Sequence, residues 1–138
     1  MPPRFERRIK IISPATLFHS ARALAKARFR NRHPVQGGSG CPVIVEGRRD
    51  METLRSLGFD GPIELVNRGW GQSRLIAHLH DSYGRKNPVD GGPALMLMMD
   101  WDRTGMRLHE NLLGRMRSLD MWIDESTRKT LMRTVPLK

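Results

Sequence analysis

From residue 42 onward, short apolar runs alternate with longer amphipathic segments, and the change of period marks a change of element. Pro42-Val43-Ile44-Val45 is apolar at consecutive positions, as a parallel strand covered on both faces must be, and it stops at Glu46-Gly47. Met51, Leu54 and Leu57 then recur at helical spacing, with Gly58 placed to close the helix in a left-handed conformation. Ile63-Glu64-Leu65-Val66 predicts a second strand, and Leu75, Ile76, Leu79 and Tyr83 a second helix that ends at Tyr83-Gly84. Residues 84–93 combine glycine and proline with Asn87 and Asp90, the chemistry of a surface loop. Residues 94–99 (ALMLMM) are the most apolar run and suit a central strand, with a third helix expected over 104–119 and Leu108, Leu112, Leu113 and Met116 turned inward. Met121-Trp122-Ile123 reads as a short fourth strand or a turn, and 124–132 as a helix capped by Asp124.

Residues before 42 follow a different pattern. Ser13-Pro14 supplies an N-cap with proline at the first helical position, and Leu17, Ala21, Leu24 and Arg28 follow at helical spacing, so a helix is expected over 14–30. His33-Pro34 ends it, and Gln36-Gly37-Gly38-Ser39-Gly40 reads as a flexible linker. The expected organisation is a basic helical arm over 1–32, a linker over 33–41 and a main domain over 42–138 with a short C-terminal helix. Alternating strands and helices make that domain α/β, with a small parallel sheet of three to four strands flanked by helices in a Rossmann-like arrangement.

Length and composition narrow the functional classes. A chain of 138 residues can build one core without a covalent staple. The single Cys41 excludes an internal disulfide framework and a four-cysteine zinc site, as a reducing compartment predicts. No apolar run reaches the length of a membrane span, and the first ten residues are charged where a signal peptide would be apolar, so a cytoplasmic protein without membrane contacts is expected. The formal net charge is +10, and residues 1–41 hold nine cationic side chains against the single acid Glu6. A positive block of this kind attracts polyanions, of which nucleic-acid backbones are the commonest inside cells.

Candidate chemistry lies where predicted strands end in acids. Glu46 follows the first strand and Asp100 the third, and the carboxyl ends of parallel strands share one rim, where ligands bind in open α/β sheets. Asp102, two residues further, adds a third carboxylate if the backbone stays extended. Three adjacent carboxylates repel one another unless a cation neutralises them, and an all-oxygen donor set selects magnesium, with manganese as the alternative. Each acid also stands where it would cap the helix that follows.

Val45-Glu46-Gly47-Arg48-Arg49-Asp50 resembles the V-E-G-x-x-D signature of Toprim domains, and Asp100-Trp101-Asp102-Arg103-Thr104-Gly105 resembles their D-x-D-x-x-G signature, in the order and at the strand ends of that family. The resemblance covers roughly residues 42–123. It implies that Glu46 is a general acid or base or a metal ligand, that Asp100 and Asp102 bind magnesium, and that Gly47 and Gly105 let the backbone turn closely beside the site. Asp50, the last acid of the first motif, also suits helix-dipole complementation. Met106 stands where the type IA topoisomerase version continues with glutamate, and one cysteine cannot build the zinc site of the recombination mediators. With those versions set aside, the chain resembles the small stand-alone archaeal Toprim proteins and the bacterial nuclease that matures 5S ribosomal RNA.

Arg48, Arg49, Arg68 and Arg103, in loops at strand ends, are the candidate phosphate contacts beside the acids, and Lys26, Arg28, Arg30 and Arg32 those of the arm. Trp70 suits base stacking or packing at the sheet edge, and His78 and His80 point to different helix faces. The leading expectation is a magnesium-dependent nuclease or phosphoryl-transfer protein acting on nucleic acid, RNA before DNA. The rival is a non-catalytic RNA-binding module, with ribosomal particles or replication and RNA-processing proteins as partners.

Overall fold

The computed structural model describes residues 13–99 and 102–132. Helix α1 spans Pro14–Asn31, and β1 (Val43–Val45), α2 (Arg48–Ser56), β2 (Ile63–Leu65), α3 (Gln72–Tyr83), β3 (Leu95–Leu97), α4 (Arg103–Ser118), β4 (Ile123–Asp124) and α5 (Ser126–Met132) follow. The strands form one sheet in the order β2-β1-β3-β4. Every pairing is parallel: Val43 stands opposite Ile63 and Met96, and Leu95 opposite Ile123. The segment expected as strand or turn is therefore the fourth strand, begun one residue after Trp122.

Successive side chains of a strand face opposite sides of a sheet, and β1 divides its core residues accordingly. Ile44, with Leu95 and Leu97, packs under α3 and α4 among Leu75, Leu79, Leu112 and Met116. Val43 and Val45, with Met96, pack on the other face among Ala27 of α1, Leu54 of α2 and Phe59. A fully buried aliphatic side chain of this kind contributes about 1.5–3 kcal/mol. Gly58, at φ 92°, closes α2 in the left-handed conformation expected of it.

Residues 33–41 are not a flexible linker. The amides of Ser39 and Cys41 both donate to Arg30 O (3.2 and 3.0 Å), and Gly40 N–H donates to Arg32 O at 2.8 Å, folding the segment back onto the end of α1. A Cβ on Gly38 would stand 2.2 Å from Arg32 O, so that glycine serves close backbone approach rather than mobility. Helix α1 is correspondingly a layer of the domain and not a detached arm, and it also packs against α5. Asn31, fully buried, joins it to the sheet: its amide donates to Cys41 O and Pro62 O, both at 2.9 Å, and its Oδ1 accepts from Gly61 N–H at 2.9 Å. Arg30 adds a two-pronged contact to Asp90 (2.7 and 3.1 Å) and a bond to Pro93 O at 3.0 Å.

Two outcomes follow from these contacts. Asn31→Ala strands two carbonyls and one amide, each unmade buried bond costing about 1–3 kcal/mol, so urea denaturation should show a loss of about 3 kcal/mol or more. Deleting residues 1–32 should leave a chain without cooperative thermal unfolding. A truncated protein that melts like the full chain would show that α1 is dispensable. The Arg30 guanidinium, working against partial burial, holds the Asp90 carboxyl down at about 2. Its folded value lies below the unfolded one of about 3.9, so the stabilisation is present above that pH and is lost as pH falls towards 2. Because Asp90 is solvent-exposed, the contribution should be on the order of 1 kcal/mol, and Asp90→Asn should flatten the melting temperature profile between about pH 4 and 2.

Candidate functional site

Parallel strands deliver Glu46 and the segment after β3 to the same edge of the sheet. Ile44 stands opposite Leu97, and Met98 N–H donates to Ile44 O at 2.9 Å, so the register carried on by two residues sets Glu46 level with Met99. Glu46 is half-buried, and its carbonyl accepts from Asn67 N–H at 2.9 Å, which ties the end of β1 to the loop after β2. Asp100 and Trp101 lie outside the described residues. Asp102 is exposed at the same rim as the N-cap of α4, its Oδ1 accepting from Gly105 N–H at 2.7 Å. Asp50 reaches back to Gly47 N–H at 3.2 Å and closes the first turn of α2, so its role in the structure is that of a cap.

Gly47 does not make the tight turn expected of it. Gly47 is extended at φ −147° and ψ −177°, a conformation open to any residue, and a Cβ there would meet nothing within 4 Å. Gly105 lies buried inside the first turn of α4. Neither position relies on left-handed backbone. What they share is a helix start, because α2 and α4 both begin at this rim and aim their free N–H groups at it.

The expected cationic contacts divide into two sets. Arg48 and Arg49 occupy the first two positions of α2, and Arg103 the first of α4; all three are exposed and none pairs with a described acid. Cations at a helix N-terminus oppose the macrodipole by about 0.3–1 kcal/mol each, so the local fold gains nothing from them there. Arg68 is committed elsewhere: it pairs with Glu64 at 2.8 Å and bonds Leu65 O at 2.8 Å. The α1 cations do not join the rim at all. Asn31 contacts the residues that precede β1 and β2, Arg28 bonds Leu57 O at 3.3 Å, and Arg30 bonds Pro93 O, so this end of α1 lies at the amino edge of the sheet. Lys26 is exposed on the same helix, and Arg32 is half-buried beyond its end.

Sequence reasoning missed a polar cluster on β2. Glu64 accepts from Tyr83 OH at 2.5 Å and faces His78 Nε2 at 3.1 Å, in addition to Arg68. Burial opposes its ionisation, but the hydrogen bonds from Tyr83, His78 and Arg68 outweigh burial and hold the carboxyl below its usual range. Burial and the Glu64 carboxylate together raise the phenol of Tyr83. The interruption of an apolar strand by Glu64 was the available signal. Trp70 packs here, its ring approached by the guanidinium groups of Arg74 (4.1 Å) and Arg68 (4.8 Å), and His78 and His80 diverge as expected. Burial pushes the Cys41 thiol up to about 12. Arg128, reaching in from α5 and buried, donates from Nε to the carbonyl of Met99, the residue before Asp100 in sequence, at 3.0 Å.

Among the described residues, no three His, Cys, Asp or Glu side chains converge in a way that would hold a metal ion, and no helix is long and apolar enough to cross a membrane. No family model matches the chain, and no solved structure does. Curated relatives do. The UPF0292 protein of Thermoplasma volcanium is 26% identical over 111 residues, covering 80% of this chain and 82% of the relative. The UPF0292 protein of Thermococcus onnurineus is 35% identical over 92 residues, covering 66% and 60% respectively. That of Methanosarcina barkeri is 33% identical over 86 residues, covering 61% and 52%. The chain therefore spans little more than half the length of the latter two, and it is similar to proteins whose names state no activity.

Proposed function

We propose that the carboxyl rim binds magnesium, with manganese as the alternative, through Glu46 and Asp102 together with Asp100, and presents it to a phosphodiester of nucleic acid, RNA in preference to DNA. The carrying observation is electrostatic: three arginines that pair with no described acid sit at the positive ends of α2 and α4, where the fold itself disfavours them, around half-buried and exposed carboxylates at the same rim. Positive helix ends and arginines favour a phosphate, while the carboxylates favour a hard cation between them and it. The donor set fits the ion, since Asp102 uses one oxygen for its cap and a carboxylate has further lone pairs to offer. The Toprim resemblance of the two motifs points the same way.

In this reading the protein is a nuclease or phosphoryl-transfer enzyme. A bound magnesium would supply Lewis-acid polarisation of the phosphate. Glu46, half-buried beside the helix start, would move a proton or complete the metal shell, and Arg48, Arg49 and Arg103 would orient the phosphate. A second reading, a non-catalytic RNA-binding module of ribosomal or RNA-processing assemblies, draws on the observation that Asp102 already has a structural task as a cap.

Asparagine caps a helix as well as aspartate, so Asp102→Asn separates the two roles. With structured RNA and magnesium, Asp102→Asn and Glu46→Gln should each lower cleavage by about a hundredfold or more while melting within a few degrees of wild type. Cleavage at the wild-type rate in both variants would remove the site, and wild-type protein that binds RNA without metal-dependent turnover would establish the second reading. Arg103→Gln removes a cation from the positive end of α4, so it should raise stability by up to about 1 kcal/mol while weakening RNA binding. Fluorescence anisotropy against salt should show the slope reduced by about 0.7–0.9, the share of one phosphate contact.

A further inference from the structure

His19, Arg22, Lys26 and Arg30 succeed one another at intervals of three and four residues, which sets them along one face of α1. That face borders a groove of about 470 Å³, whose opposite wall runs from Trp122 through β4 into the first turn of α5. Towards the start of α1 the groove continues past Arg22 and His19 as a second hollow of about 380 Å³. Ala23 lines both, so the space between the walls is not filled by long side chains.

The acids of the groove are already engaged. Asp124 accepts from the amides of Ser126 (2.8 Å) and Thr127 (3.2 Å) and from both of their hydroxyls (2.9 Å each). Glu125 pairs with Arg117 at 2.7 Å and Lys129 at 2.8 Å. Arg30 is likewise occupied by Asp90. Arg22 and Lys26 are exposed and pair with no described acid, so positive charge is left over in the groove. At its far end the Trp122 side chain is 55% exposed, although its backbone is pinned on both sides: its N–H donates to Arg85 O at 2.8 Å, and its carbonyl accepts from Ala94 N–H at 2.7 Å. An exposed indole on a fixed backbone, next to uncompensated cations in an open groove, combines the two features that hold single-stranded nucleic acid, a stacking surface and a phosphate track.

We propose that this groove binds a single-stranded nucleic-acid segment, one base stacked on Trp122 and adjacent phosphates on Lys26 and Arg22. The proposal rests on the nucleic-acid reading of the rim but assigns a separate surface, built from α1, β4 and α5 and shared with none of the rim residues. The rim would act on the phosphodiester, and the groove would hold a neighbouring single-stranded stretch.

Anisotropy of a fluorescein-labelled ten-nucleotide single-stranded RNA in EDTA tests the groove apart from any metal. Trp122→Ala should weaken binding about tenfold, the effect of losing one stacked base, and Trp122→Phe should restore most of it. Arg22→Gln with Lys26→Gln should lower the slope of log affinity against log salt by about 1.4, two phosphate contacts on a single strand. Circular dichroism of each variant confirms that the fold is kept. Affinity within twofold of wild type for Trp122→Ala, or an unchanged salt slope in the double variant, overturns the groove even if the rim cleaves RNA. Loss of binding in the groove variants, with no metal-dependent cleavage by wild type, upholds the groove and removes catalysis at the rim. If Trp122→Ala weakens binding and Trp122→Phe does not recover it, stacking is excluded and the proposal fails in this form.

Discussion

Parallel pairing on both sides of β1 is the constraint from which the rest of the architecture descends. Val43 is paired with Ile63 on one side and Met96 on the other, so the three strands run the same way and each must return through a helix on a face of the sheet. Strands of only three residues cannot hold such a sheet by backbone bonds alone. Burial on both faces does so, with Ile44 committed to one core and Val43 and Val45 to the other. A consequence is that every strand-to-helix connection leaves from one edge, which is why α2 and α4, on opposite faces of the sheet, both begin there.

The amino edge is governed by a different economy. Asn31 offers one side-chain amide to three backbone groups that the strand entries would otherwise bury without partners, and the glycines nearby exist to let those backbones approach. Gly61 illustrates the closeness: a Cβ there would overlap Asn31 O at 1.7 Å. Arg30 and Asp90 then fasten the loop before β3 to the same helix end. Charges that composition alone marks as a polyanion lure are in part structural fasteners, as Arg30 and Arg28 show.

Electrostatic opposition distinguishes the two candidate surfaces from ordinary charged exterior. At the rim, arginines stand where helix dipoles repel them. In the groove, acids are neutralised by caps and ion pairs while Arg22 and Lys26 are not. In the groove an incoming anion would meet cations that no described acid neutralises. The Glu64 cluster is the contrasting case, where Arg68, His78 and Tyr83 satisfy a carboxylate internally and no charge remains to recruit a ligand.

Much of this was determined by the sequence itself. Periodicity located the helices and strands because burial on one or two faces imposes a period that the side chains must show, as in Val43–Val45 and Leu112–Leu113–Met116, and Ser13, Asp102 and Asp124 marked helix starts by their capping chemistry. The position of Glu46 at the end of β1 was legible for the same reason. Only the tertiary structure decided what lay between segments far apart in the chain: that Gly37–Gly40 is a packed return rather than a tether, that Arg30 belongs to Asp90 and Arg68 to Glu64, and that α1 and α5 enclose a groove ending at Trp122. Local sequence records a residue's own propensity and charge. Whether that charge is spent inside the fold or offered to a partner depends on which residue sixty positions away reaches it first.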